Sequence, residues 1–104
     1  MSTERIARFR TLAEREPDNP LHRFALAQAC LSAGDWAGAE AAYAECLRIK
    51  PDWMVAAIKR ARCLIELQRW DEARASLDLG ADLATQQGHD EPWGEIRELM
   101  AQLP

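Results

Sequence analysis

The residues best suited to chemistry in this 104-residue sequence are two histidines and three cysteines. His22 and His89 are far apart in the chain, and neither has a cysteine or carboxylate at the spacing of a zinc site. On one helix Cys30 would lie roughly 12 Å along the axis from His22, because each residue rises about 1.5 Å, which is too far for a Cys–His nucleophile pair. The sequence therefore predicts no metal centre and no cysteine-based active site.

The cysteines and glycines are better explained by packing. Cys30, Cys46 and Cys63 form no CxxC motif, and each lies in a helical pattern where a small residue is wanted. An odd number of such cysteines is typical of reduced thiols in the cytoplasm. The five glycines are scattered and form no phosphate-binding loop. We therefore expect no catalysis and no cofactor.

Composition excludes several other classes of function. Apolar residues make up 48% and charged residues 29%, as in a single soluble globular domain. The net charge of −4 gives no reason to expect nucleic acid or an anionic membrane as partner. No apolar run is long enough to span a membrane, and the N-terminus does not resemble a signal peptide. A cytoplasmic protein is expected.

Charge is unevenly distributed along the chain. Residues 1–69 carry 11 Lys and Arg against 9 Asp and Glu, whereas residues 70–104 carry 2 against 8. The first part thus has a net charge of +2 and the second a net charge of −6. This distribution predicts an acidic C-terminal end.

The elements that would position any site come from a repeat. Trp36 and Trp70 are 34 residues apart, and so are Ala39 and Ala73. The same offset joins further residues of similar size or type: Pro17 and Pro51, Phe24 and Ile58, Ala27 and Ala61, and Tyr43 and Leu77. Self-similarity at a period of 20 to 50 residues indicates a repeat architecture.

Each repeated unit contains two helical patterns joined by a short polar turn. Gly34 and Asp35 form the turn of the first unit, and the segment 50–52 separates it from the second. Asp35, Asp52 and Asp90 each precede a helical pattern, and we predict that they are N-caps.

The 34-residue unit resembles the tetratricopeptide repeat. The first unit carries the resemblance through Leu26, Ala27, Gly34, Asp35, Trp36, Ala39, Tyr43, Cys46 and Pro51. The second unit carries it through Ala61, Leu64, Trp70, Ala73, Leu77 and Gly80. It departs from the pattern at Gln68, where the turn glycine is missing, and near Thr85, where the closing proline is missing.

The resemblance implies an all-α fold, an α-solenoid of about six helices in antiparallel pairs. Residues 3–16 would be an N-terminal half-repeat helix, 19–52 the first repeat, 53–86 the second and 90–103 a capping helix. Trp36 and Trp70 would pack at the corner between the two helices of their repeats.

The resemblance also implies a function, because tetratricopeptide arrays bind extended peptides or partner helices on their concave surface. We expect an adaptor or scaffold that binds another protein without catalysis. The implied lining is Leu21, Phe24, Gln28, Val55, Ile58, Lys59 and Arg62. Arg62 or Lys59 could bind a carboxylate. A chaperone-tail clamp is disfavoured, since Phe24 and Ile58 replace its basic and polar residues.

Two alternatives remain open from the sequence. Phe24 and Ile58 could be ordinary core residues covered by the terminal helices, and Arg62 could pair with Glu66 on its own helix. The chain could also be a structural unit that forms a homodimer by burying the same apolar surface against itself.

Overall fold

The computed structural model describes residues 2–104, and within them the chain forms six α-helices and no strands. The predicted all-α helical-repeat solenoid is confirmed. Each helix packs against the next one in the chain, and α6 also packs against α4. The helices are α1 (Ser2–Arg15), α2 (Pro20–Ser32), α3 (Trp36–Ile49), α4 (Met54–Glu66), α5 (Trp70–Gln87) and α6 (Trp93–Ala101).

The turn between α2 and α3 reverses the chain through a left-handed residue. Gly34 has a φ of +76°, a conformation that glycine adopts without steric cost. Its N–H donates to the carbonyl of Leu31 over 3.1 Å, and the N–H of Asp35 donates to that of Cys30 over 2.9 Å. These two bonds form a Schellman motif, which satisfies carbonyls that the end of the helix leaves free.

The turn between α4 and α5 has the same geometry without the glycine. Gln68 has a φ of 59°, and its N–H donates to the carbonyl of Ile65 over 2.9 Å. The N–H of Arg69 donates to the carbonyl of Leu64, also over 2.9 Å. The repeat thus keeps the turn although Gln68 must adopt a conformation that is strained for a residue with a Cβ.

Replacing Gln68 by glycine should therefore stabilise the protein by about 1 kcal/mol, because the strain of the left-handed conformation is removed. Urea unfolding would measure the change. Gln86→Gly is a matched control, because Gln86 is exposed within α5. There the same substitution should destabilise by about 1 kcal/mol. A loss of stability in both variants would contradict the expectation.

Two of the predicted N-caps are wrong. Asp35 does cap α3, since its Oδ1 accepts a bond from the N–H of Gly38 over 2.9 Å. Trp53, however, is the N-cap of α4, and Pro92 is that of α6, and neither cap has a side-chain hydrogen bond. One residue separates Asp52 from α4, and two residues separate Asp90 from α6. Asp52 instead lies 3.7 Å from the Lys50 ammonium.

The core consists of two clusters, each centred on one helix pair. Trp36 packs against the first and Trp70 against the second, as expected for residues at the helix corners. Cys30, Cys46 and Cys63 are completely buried. The expectation that the cysteines are small packing residues is in accord with this burial.

Burial gives the thiols a measurable pH signature. Desolvation raises the pKa of Cys46 to about 12 and that of Cys63 to about 11, and it also raises the pKa of the Tyr43 hydroxyl. An unfolded thiol ionises near pH 8.5. Because the folded pKa is the higher one, the stabilisation is complete below pH 8.5 and is lost as the pH rises toward 11 to 12.

We expect the free energy of unfolding to fall between pH 8 and pH 10, by about 2 kcal/mol for each of the two thiols. Urea titrations at several pH values would measure this slope. The variant Cys46→Ala/Cys63→Ala should have a clearly shallower slope. An equal slope in both proteins would assign the pH dependence to other groups.

A cluster of four charged side chains joins α3 to the corner between α4 and α5. Glu40 accepts a bond from Arg60 Nε over 3.0 Å and another from an Arg69 terminal nitrogen over 2.9 Å. Arg69 also binds Glu72 through two bonds, which hold the pKa of the Glu72 carboxyl below its usual range. Only 8% of Glu40 is exposed, so its charge depends on these partners.

Candidate functional site

The candidate site is the surface formed by α2 and α4, the first helices of the two helix pairs. Four of the seven predicted residues are exposed there. Leu21 is 67% exposed and Val55 is 37% exposed, and Gln28 and Arg62 are also exposed. The four form two pairs at the 34-residue offset, so each pair occupies the same position on α2 and α4. Leu21 and Val55 form an apolar row on this surface, and Gln28 and Arg62 form a polar row.

Phe24 lies beneath this surface and is half-buried. Its ring stacks on that of Trp53 with centroids 4.6 Å apart and an angle of 14°. It also meets Tyr43 edge to face, with centroids 5.7 Å apart. Phe24 thus contributes to the first core cluster, and Trp53, at the start of α4, covers part of the ring that a partner would need.

Ile58 is only 2% exposed, although it occupies the same repeat position as Phe24. It packs in the second core cluster with Ile96 and Leu99 of α6. A Cβ on Gly80 of α5 would lie 2.8 Å from Ile58 Cγ1, so the two helices approach closely here. The core alternative thus applies to Ile58, which cannot anchor a partner in this structure.

The two basic residues have different environments. Lys59 donates to Glu95 of α6 over 2.9 Å, and both side chains are about one-third exposed. This ion pair holds α6 beside one side of the surface, and it neutralises the charge of Lys59. The guanidinium of Arg62 lies 5.9 Å from the ring centroid of Trp36. Arg62 remains exposed and is the better placed of the two to bind a carboxylate.

A cavity of about 380 Å³ opens beside Val55, at the start of α4. Sequence reasoning did not identify it, because its wall combines the turn before α4 with the end of α5. The Gln87 side chain joins these two segments by donating to the carbonyl of Asp52 over 2.9 Å. The cavity is lined by Lys50, Asp52, Trp53, Met54, Val55, Gln87 and His89.

Comparison with protein families agrees with this arrangement of helices. Residues 31–103 match a family model described as tetratricopeptide repeat, and residues 6–52 match a second model of the same description. The chain belongs to the tetratricopeptide repeat family. Repeats of this family are generally protein-interaction modules. A comparison with curated proteins found no match.

The structure adds two observations on other kinds of site. Over residues 2–104, no three His, Cys, Asp or Glu side chains are grouped so that they could hold a metal ion. None of the described helices combines the length and apolar character needed to cross a membrane.

Proposed function

We propose that this protein is a non-catalytic interaction module that binds an extended peptide or a partner helix across α2 and α4. The observation that carries this proposal is the recurrence of exposed residues at equivalent positions: Leu21 with Val55, and Gln28 with Arg62. An extended segment crossing both helices would meet an apolar row and a polar row.

The apolar row is the source of binding energy in this proposal. Leu21 exposes two thirds of its surface, so a partner that covers it removes apolar surface from water. The cavity beside Val55 has room for an apolar side chain of the partner, against Trp53 and Met54. Burial of one such side chain contributes about 1.5–3 kcal/mol. The packed helices are already ordered, which limits the entropy cost of binding.

The polar row sets the orientation of the partner. The guanidinium of Arg62 lies over the Trp36 ring, 5.9 Å from its centroid, so the ring limits the positions that the side chain can take. A guanidinium held in this way can bind a carboxylate in two-point geometry. Gln28, at the equivalent position of α2, can donate to and accept from the backbone of an extended chain. We thus expect a ligand with an apolar side chain and an acidic group.

A peptide-display selection on the immobilised protein, followed by fluorescence anisotropy with the enriched peptides, would test the proposal. Selected peptides should share an apolar residue and a carboxylate. Leu21→Glu and Arg62→Glu should each weaken binding at least about tenfold, since a removed contact of 1.4 kcal/mol is a factor of ten.

Leu79→Glu is the control, because Leu79 is also an exposed leucine, with 36% of its surface accessible, but lies on α5. It should leave peptide binding unchanged. If no peptide is enriched, or if Leu79→Glu weakens binding as much as Leu21→Glu does, this surface is not the binding site.

The exposed apolar row supports one further candidate, a homodimer that buries Leu21 and Val55 against their copies in a second chain. Sedimentation equilibrium over about a hundredfold range of concentration separates the two, because self-association follows mass action. A dimer that Leu21→Glu dissociates would replace the peptide groove by a self-interface. A species that stays at the 11.7 kDa chain mass would leave the surface free.

A further inference from the structure

The N-terminal end of the stack exposes a basic helix face. By the 34-residue period, Arg5 corresponds to Ala39 and Ala73, which are completely buried. Arg8 corresponds to Ser76, a buried residue whose hydroxyl donates to the backbone of α4 over 2.7 Å. On α5 this side of the helix packs against α4. On α1 the equivalent side is exposed and carries two arginines.

The two arginines frame an aromatic ring. Their guanidinium carbons lie 5.9 Å and 5.4 Å from the ring centroid of Phe9, which is half-buried. Phe9 corresponds to Leu77 of α5, which is completely buried. The open face of α1 thus combines apolar surface with two positive charges.

The other end of the stack exposes an acidic helix face with small residues. Trp93 begins α6 and packs on the second core cluster, as Trp53 precedes α4 and packs on the first. Aligning these tryptophans relates the exposed residues Gly94, Glu98 and Ala101 of α6 to Met54, Ile58 and Ala61 of α4. In α4 this is the side that packs against α5, whereas in α6 it is open.

We propose that the two ends bind each other between copies, with α6 of one copy packed against α1 of the next as a helix pair. The charges of the two segments are complementary. α1 carries four arginines and two glutamates, and residues 90–101 carry four carboxylates and one arginine. Glu98, in the middle of the open α6 face, would bind the guanidinium groups of Arg5 and Arg8. Glu91, in the turn two residues before the start of α6, adds an exposed carboxylate to this end.

The sizes of the side chains are complementary as well. Between α4 and α5 a large residue, Ile58, meets a small one, Gly80. Between copies the large residues would come from α1 and the small ones from α6, because the arginines of α1 would meet Gly94 and Ala101. A Cβ placed on Gly94 has no heavy atom within 4 Å, so this side of α6 has room for a long side chain.

Such a contact joins two different surfaces, so it does not close after two copies. Head-to-tail contacts continue into rings or open chains. The exposed residues Leu21 and Val55 lie outside both contact faces and would remain accessible along the assembly. The inference is therefore independent of the proposed peptide binding.

Sedimentation equilibrium of the untagged chain over a wide range of concentration tests the inference. In low salt the average mass should rise above twice the 11.7 kDa chain mass. It should fall toward one chain in about 1 M salt, where the Debye length is roughly 3 Å. A monomer at every concentration in low salt, or a mass that stops at two chains, overturns the proposal.

Charge reversal identifies the contact. Arg5→Glu/Arg8→Glu makes both ends acidic, and Glu91→Arg/Glu98→Arg makes both ends basic. Each variant alone should associate at least about tenfold more weakly than the parent, since like charges face each other. An equimolar mixture should associate again, because each junction then joins an acidic end to a basic one.

Two controls accompany this experiment. Asp78→Arg reverses an exposed charge on α5, outside both contact faces, and should leave association unchanged. Leu21→Glu should also leave it unchanged, which separates the contact from a dimer through the α2–α4 surface. Failure of the mixture to associate, with both variants folded by circular dichroism, overturns the proposal.

Discussion

Replacing Glu40 by glutamine should lower the free energy of unfolding by about 3 kcal/mol, near the lower end of the range for a broken buried ion pair. The carboxylate accepts one bond from Arg60 on α4 and one from Arg69 at the start of α5. A neutral amide offers only one acceptor oxygen and directs donor hydrogens at a guanidinium. Removing the charge therefore loosens α3 from the corner that joins α4 to α5.

Glu45→Gln is the matched control for this prediction. Glu45 is also on α3 and binds Arg48 over 2.9 Å, but the side chains are 39% and 56% exposed and lie three residues apart on one helix. Such a pair contributes about 0.3–0.5 kcal/mol. Urea titrations with an unchanged m-value would measure both variants. Equal small losses would mean that the Glu40 cluster contributes no more than a surface ion pair.

Replacing Gly80 by alanine should lower the free energy of unfolding by about 1–3 kcal/mol, the range for an overpacked core. In an isolated helix the same change would stabilise by about 1 kcal/mol. The sign reverses because the added methyl group would lie 2.8 Å from Ile58 Cγ1, close to the backbone of α4. The two helices must then separate or Ile58 must leave its rotamer.

Gly94→Ala provides the comparison, since Gly94 is exposed and its added methyl group meets no atom within 4 Å. That variant should be stabilised by up to about 1 kcal/mol. In an Ile58→Ala background, Gly80→Ala should no longer destabilise, because the opposing side chain is gone. Persistent destabilisation there would place the clash elsewhere.

The sequence by itself determined the architecture. The helical spacing of apolar residues and the Gly-Asp turn are local features that limit the backbone directly, and the 34-residue period indicates that the same helix pair recurs. The turn at Gln68 is different, because the local glycine signal is missing there. The chain adopts the same left-handed turn there without the glycine, because the packing of α4 and α5 requires the same reversal.

Only the tertiary structure decided which members of a repeated pair are accessible. Phe24 and Ile58 occupy the same repeat position, yet Phe24 is half-buried and Ile58 is completely enclosed. The difference comes from their neighbours. Phe24 is covered by Trp53, whereas Ile58 is enclosed by the close approach of α5 at Gly80 and by the apolar side of α6.

The same holds for the charged residues. Lys59 is paired with Glu95, 36 residues later, and Glu40 is paired with Arg60 and Arg69, 20 and 29 residues later. Periodicity places such residues on a helix face, but it does not tell which face of another helix will meet them. That depends on helix packing, in which side-chain size sets the distance between helices and so decides which distant charges can meet.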